Sequence, residues 1–182
     1  MKVNEDTEMH ETGRIPDAGT VADQLAIHDV LVRHSRGVDR GDSSILKACY
    51  WSDAEVAYGA FDGAAQIFCE RLPKMMRGFQ WTHHSIGNVA IDFDGTNARV
   101  ETYVTARHYV VDPAGDYEMT VFGRYLDRMQ RRGDVWKIAH RRVVMDWNRH
   151  DGASANWQGP PFEGLARGAR SADDPLYGHL GA

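Results

Sequence analysis

The stretch THHSIGNVAIDFDGTNARVETYVTARHYVVDPAGDYEMTVFGRYLDRMQRRGDVWKIAHRRVVMDW, residues 82–147, decides the fold. Three turn signals punctuate it: Asp94-Gly95, Pro113-Ala-Gly115-Asp116 and Gly133-Asp134. The runs between them are rich in β-branched and aromatic residues. They predict strands over Thr82–Asp94, Ala98–Asp112, Met119–Arg131 and Val135–Trp147. Strands joined in sequence order by short turns form an antiparallel meander.

Upstream, the spacing turns helical. Ile27, Leu31, His34 and Val38 fall on one stripe, which directs His34 toward the apolar face. Thr20 offers an N-cap, with Asp23 completing an approximate capping box. Gly37 is expected to end this helix and to leave Asp39 at or just beyond its last turn. A second helix is predicted over Ser43–Tyr50, a short strand over Ala54–Tyr58, and a third helix over Gly63–Arg77 that Pro73 kinks or splits. Helices followed by a meander make an α+β fold. Residues 1–19 are expected to form a loose polar arm and residues 20–148 the domain. Residues 149–182, rich in Gly, Pro and Ala with Trp157, Phe162 and Tyr177 interspersed, are expected to drape over the body or a neighbouring subunit.

Composition narrows the classes. The chain has 182 residues, 42% hydrophobic and 26% charged, which fits one globular domain with tails. A net charge of −5 argues against nucleic-acid binding, and Arg131-Arg132 and Arg141-Arg142 are too short to make a basic run. Cys49 and Cys69 read as buried free thiols. The N-terminus lacks an apolar signal core, and no apolar run is long enough to span a membrane. A cytoplasmic protein without a membrane partner is the default expectation.

Chemistry is sparse. No phosphate loop, no G-x-S-x-G, no HExxH and no Cys cluster occurs, so neither a cofactor nor a metal is expected. What remains is Asp39, His34 and the pair His83-His84. A carboxylate can orient an imidazole and stabilise its charge, which makes the imidazole a general base near neutral pH. Each residue also has a plainer use, Asp39 as a turn residue and the histidines as hydrogen-bonded structural groups. On an extended strand His83 and His84 point to opposite faces, and parity does not choose between them. In the last strand Trp136, Ile138, His140 and Arg142 share one face and Lys137, Ala139 and Arg141 the other, unless a β-bulge swaps them. An inward arginine would stabilise negative charge on a departing group. Tyr58, Trp51, Phe79, Trp81, Tyr103 and Trp147 are candidate walls for a flat apolar ligand; Tyr109 belongs to the same aromatic excess.

Four motifs together resemble a SnoaL-like member of the NTF2-like superfamily over about residues 20–148: His-Ser-Arg-Gly-Val-Asp (34–39), Ser-Asp-Ala-Glu (52–55), Thr-His-His-Ser-Ile-Gly-Asn (82–88) and Arg-Gly-Asp-Val-Trp-Lys-Ile-Ala-His-Arg (132–141). The resemblance implies a cone, a curved antiparallel sheet wrapped by N-terminal helices around a deep pocket. It also implies a homo-oligomer, a trimer ahead of a dimer. Relatives include dehydratases and a dehydrochlorinase that use a His–Asp pair and no cofactor. On that pattern Asp39 takes the Asp role, His84 the general-base role, and Arg141 helps the leaving group. The position five before the Asp, Lys or Tyr in some relatives, is His34 here. A cofactor-independent lyase of the dehydratase type, acting on a small hydrophobic cyclic or aromatic substrate, is the leading expectation. Retro-aldol-type loss of formaldehyde from an aromatic diol and a non-catalytic binding module are the alternatives.

Overall fold

The computed structural model describes residues 13–181. Most of the predicted arm, residues 1–12, lies outside them. The arm's end is ordered: Asp17 is the N-cap of helix α1 (Ala18–Arg40), accepting from the Gly19 and Thr20 amides. Thr20 is therefore inside the helix. The carboxylate wins because it satisfies two free N–H groups of the first turn at once.

The far end of α1 corrects a second expectation. Gly37 does not stop the helix. It is buried mid-turn because a Cβ there would meet Leu46 Cγ at 2.9 Å. The stop is Gly41, whose φ of 63° gives the left-handed cap, with its N–H bonded back to Gly37 and Val38. Asp39 consequently lies in the last full turn, with its side chain oriented by the helix. Helix α2 (Ser43–Ala48) starts at once, capped by the Asp42 carboxylate. Helix α3 (Ala65–Met75) contains Pro73 and passes into a 3₁₀ turn at Met76–Gly78. No helix is long and apolar enough to cross a membrane among the described residues.

The sheet holds the predicted meander: β3 (Trp81–Asp94), β4 (Asn97–Val110), β5 (Tyr117–Arg132) and β6 (Val135–Gly152). Two more strands join it, β1 (Tyr50–Ala57) and β2 (Asp62–Ala64), in the order β2-β1-β6-β5-β4-β3. The β1–β6 pair is parallel, a pairing between the two ends of the domain that local turn signals do not announce. Register shifts fall at Ile86/Val89 in β3, where β6 faces Phe122/Gly123, and where it faces Arg128/Met129. Such bulges bend a sheet, and they give this one its curvature. Helices α1–α3 fill the concave side. Ile27, Leu31, Leu46, Phe68, Leu72, Val56, Met129, Trp136 and Ile138 make the core, with Cys49 and Cys69 among them. Burial pushes the Cys49 and Cys69 thiols up to about 11 and about 12, so both stay protonated and inert at neutral pH.

Beyond β6 the chain runs back along the body. Trp157 packs on Trp81 and Tyr109, and a short helix α4 (Pro175–His179) places Tyr177 against Asp42.

Candidate active site

Asp39 leaves the last turn of α1 toward the start of β3, where alternation puts Thr82 and His84 on one face. Three groups of that strand converge on the carboxylate. The Thr82 hydroxyl donates to Oδ1 at 3.0 Å, the His84 amide donates to Oδ2 at 2.9 Å, and His84 Nδ1 lies 2.7 Å from Oδ1. Burial alone would raise the Asp39 carboxyl. The hydrogen bonds and charge of His84, with Thr82, outweigh it and hold Asp39 below the usual carboxylate range. An ionised Asp39 can only accept, so a neutral His84 imidazole carries its proton on Nδ1 and has its lone pair on Nε2. Both side chains are 8% exposed. His83 points the other way and is exposed.

His34 lies one and a half turns earlier on the same helix, fully buried. Its Nε2 is 3.0 Å from the Tyr50 hydroxyl, and the rings of Tyr50 and Tyr125 meet it edge-on. Burial, then the charges of Arg141 and His84, hold it well below the ordinary histidine range, so it is neutral. Its Nδ1 has no hydrogen-bond partner among the described residues.

Arg141 faces inward because Ala139 is the extra residue of a bulge. Met129 pairs with Ile138 and Arg128 with His140, so Trp136, Ile138 and Arg141 come onto one face. The guanidinium is held by Asp127, Nε to Oδ1 at 2.7 Å and Nη2 to Oδ2 at 2.6 Å, over the Tyr125 ring. Burial would lower its affinity for the proton. The charge of Asp127 reverses this and carries Arg141 well above its ordinary value. Arg142 is exposed on the other face.

Of the six aromatic candidates, two come near these groups. Tyr58 packs on Phe68 at 4.2 Å, within the field of Arg141, and Phe79 stacks on His108 at 4.4 Å. Four do not line this region. Trp51 sits near the β5–β6 turn, its indole bonded to the Gln130 carbonyl and covered by Arg132 and Lys137. Trp81 alternates with Thr82 and packs on the tail's Trp157. Tyr103 alternates with the fully buried Thr102 and is 47% exposed. Trp147 stacks on Phe122 on the same outer face and is 52% exposed. Strand register excludes Trp81, Tyr103 and Trp147 once Thr82 and His84 face inward.

Sequence reasoning missed His108, Tyr50, Tyr125 and Asp127. His108 was findable: Val100, Thr102, Val104, Ala106 and His108 form the buried set of β4, and register pairs His108 with Thr82. Its ring is 5.6 Å from His84. Burial, with a smaller part from the charges of His84 and Arg170, pushes it down to about 4, although Asp39 opposes this. Among the described residues no three His, Cys, Asp or Glu side chains converge as a metal-ligand group.

The two neutral buried histidines have a consequence for stability. Unfolded, each takes a proton below about pH 6.5, which the folded state refuses. The unfolded state then binds more protons, so stability falls as pH drops through that value. For His108 the loss continues to about pH 4, at up to about 1.4 kcal/mol per pH unit. The thermal midpoint is expected to fall from pH 7 to pH 5, and His108→Gln to flatten that slope. Equal slopes for the two proteins would refute the assignment.

A SnoaL-like domain model matches residues 19–142. No curated protein matches the sequence. Solved structures share the fold. A provisionally assigned scytalone dehydratase from Novosphingobium aromaticivorans DSM 12444 is 24% identical, with TM-score 0.64, over 81% of this chain and 97% of that one. The hexachlorocyclohexane dehydrochlorinase LinA-type3 from Novosphingobium barchaimii LL02 is 20% identical, with TM-score 0.70, over 80% of this chain and all of that one. A Mycobacterium tuberculosis protein of unknown function is 19% identical, with TM-score 0.61, over 70% of this chain and 74% of that one.

Proposed function

The chain belongs to the SnoaL-like domain family, and from that membership and the geometry of its dyad we propose that it is a cofactor-independent lyase. The observation that carries this is the 2.7 Å contact between His84 Nδ1 and Asp39 Oδ1, backed by the two further bonds that fix the carboxylate. A passive pocket gains nothing from a buried ionisable pair, whose desolvation costs several kcal/mol per ion before pairing, on the order of the stability of a whole domain.

In the dehydratase form, His84 Nε2 takes a proton from substrate carbon. The C–H pair becomes the new C=C bond, the C–O bond breaks, and the hydroxyl leaves as water by taking back from the His84 imidazolium the proton removed from carbon, which returns His84 to its neutral form. Asp39 stabilises the imidazolium through Nδ1–H. Arg141 contributes a fixed positive field, since Asp127 occupies its Nε and Nη2, and His34, neutral beside Tyr50, assists the departing oxygen. The substrate is a small hydrophobic ring compound: Tyr58, Phe79, Val104 and Ala106 offer apolar contact around few polar groups. The outer sheet face, with Tyr103, Leu126 and the Phe122–Trp147 stack exposed or half-exposed, supports assembly with further copies of this chain, a trimer first.

The same base supports a second reaction: it removes a hydroxyl proton, the O–H pair becomes the C=O of formaldehyde as the C–C bond breaks, and the carbon left with that bond's electron pair takes the proton back from His84. A screen of hydroxylated cyclic compounds and aromatic diols, read by product mass, separates the two. Loss of water is expected. Loss of formaldehyde would favour the second, and binding without turnover would favour a non-catalytic module.

A further inference from the structure

We propose that Arg170, on the segment after β6, is a positioning residue of the active site: it fixes Phe79 and, through the Phe79 ring, sets the His108 imidazole opposite His84. Its effect on turnover rests on the lyase assignment above; its effect on the imidazole does not.

The segment is pinned on both sides of Arg170. On one side the Ala169 amide donates to Asp174 Oδ2 at 2.7 Å, and that oxygen also receives Arg40 Nη1 at 2.6 Å. On the other, Tyr177 donates to Asp42 Oδ2 at 2.7 Å. Arg40 and Asp42 lie one and three residues after Asp39 in the chain, so the segment is docked at the end of α1 that carries the dyad's carboxylate. Asp174 is 6% exposed, which makes this a built junction and not a surface contact.

Held there, Arg170 directs Nη1 to the carbonyls of Met76 at 2.7 Å and Phe79 at 3.1 Å. The Met76 carbonyl also accepts the Phe79 amide at 3.1 Å across the 3₁₀ turn after α3, so Arg170 clasps both ends of that turn. Phe79 is thereby fixed at the entry to β3. Its ring stacks on His108 with 19° between planes, and His108 faces His84 at 5.6 Å. The charged or titratable groups around His108 are His84 from β3, Asp39 from α1 and Arg170 itself. Removing Arg170 loosens the stack and takes away a positive charge, and both changes favour protonation of His108. A segment that only stabilised the fold would leave the ring contact and the imidazole unchanged once the variant had folded.

The test uses the full chain with labelled histidine and phenylalanine, followed by nuclear magnetic resonance. In Arg170→Gln the Phe79–His108 cross-peaks are expected to weaken and the His108 midpoint to rise by about half a pH unit or more. Arg170→Lys keeps the charge without reaching both carbonyls. It is expected to weaken the cross-peaks with a smaller change in midpoint, and it carries the test if Arg170→Gln does not fold. Wild-type cross-peaks and midpoint in either folded variant would overturn the proposal. With a substrate in hand, both variants should lower kcat about tenfold with KM within about threefold. Absence of any substrate would count against the lyase assignment and leave the imidazole result to decide the role of Arg170.

Discussion

His84→Ala is expected to abolish turnover, by roughly 10³-fold or more, in a protein that still folds but with a lowered thermal midpoint, because the buried Asp39 carboxylate loses its ring partner. The side chain bonds only Asp39 among the described residues, so its removal empties a proton-acceptor position without opening the core. Asp39→Asn should cost a similar factor, roughly 10³–10⁴-fold, for a different reason. An amide can donate to Nδ1, which favours the tautomer with the proton on Nε2 and takes away the lone pair that must accept the substrate's proton. It also removes the charge that would offset an imidazolium. The two substitutions act on one unit, so the double variant should be little worse than either single one. Full additivity, or near-wild-type activity in His84→Ala, would place the base elsewhere.

The largest stability effect is expected at Asp127. It supplies both charge-assisted bonds to Arg141, whose side chain is completely excluded from solvent. Asp127→Ala would leave a guanidinium that cannot shed its proton inside the cone, at a cost of about 3–5 kcal/mol. For a domain of this size that lowers the thermal midpoint by about 10 °C or more. Removing both partners together, Asp127→Leu with Arg141→Met, should cost much less, since a buried pair replaced by apolar groups of similar volume is often neutral. Activity should separate from stability in that double variant: a folded protein with impaired turnover is the outcome if the Arg141 charge serves the departing group. A loss below about 1 kcal/mol in Asp127→Ala would show that Arg141 finds another partner.

What sequence reveals here follows the range of the interactions. Helix α1 and the β3–β6 meander depend on local periodicity and on turns such as Asp94-Gly95, and the residues announce them. The parallel β1–β6 pair depends on contacts across the whole domain, and nothing local marks it. Gly37 and Gly41 show the same divide. Either can end a helix, and only the packing of Leu46 on α1 reveals that the first is needed for space and the second for its φ. Arg141 was legible through resemblance but not through alternation, because the bulge at Ala139 shifts the phase of β6. Trp81 and Tyr103 are the reverse case. Their parity relative to His84 and Thr102 already set them on the outer face, and aromatic character alone made them look like pocket walls. Asp127 gave no signal of its own, since a carboxylate in a strand becomes meaningful only when a cation is placed opposite it.

The dyad itself can be tested without a substrate. In ¹⁵N-labelled protein, the neutral form of His84 should carry its proton on Nδ1, hydrogen-bonded to Asp39, with Nε2 unprotonated; in Asp39→Asn the proton of the neutral ring should move to Nε2. A neutral wild-type His84 with its single proton on Nε2, or a tautomer indifferent to Asp39→Asn, would contradict the account.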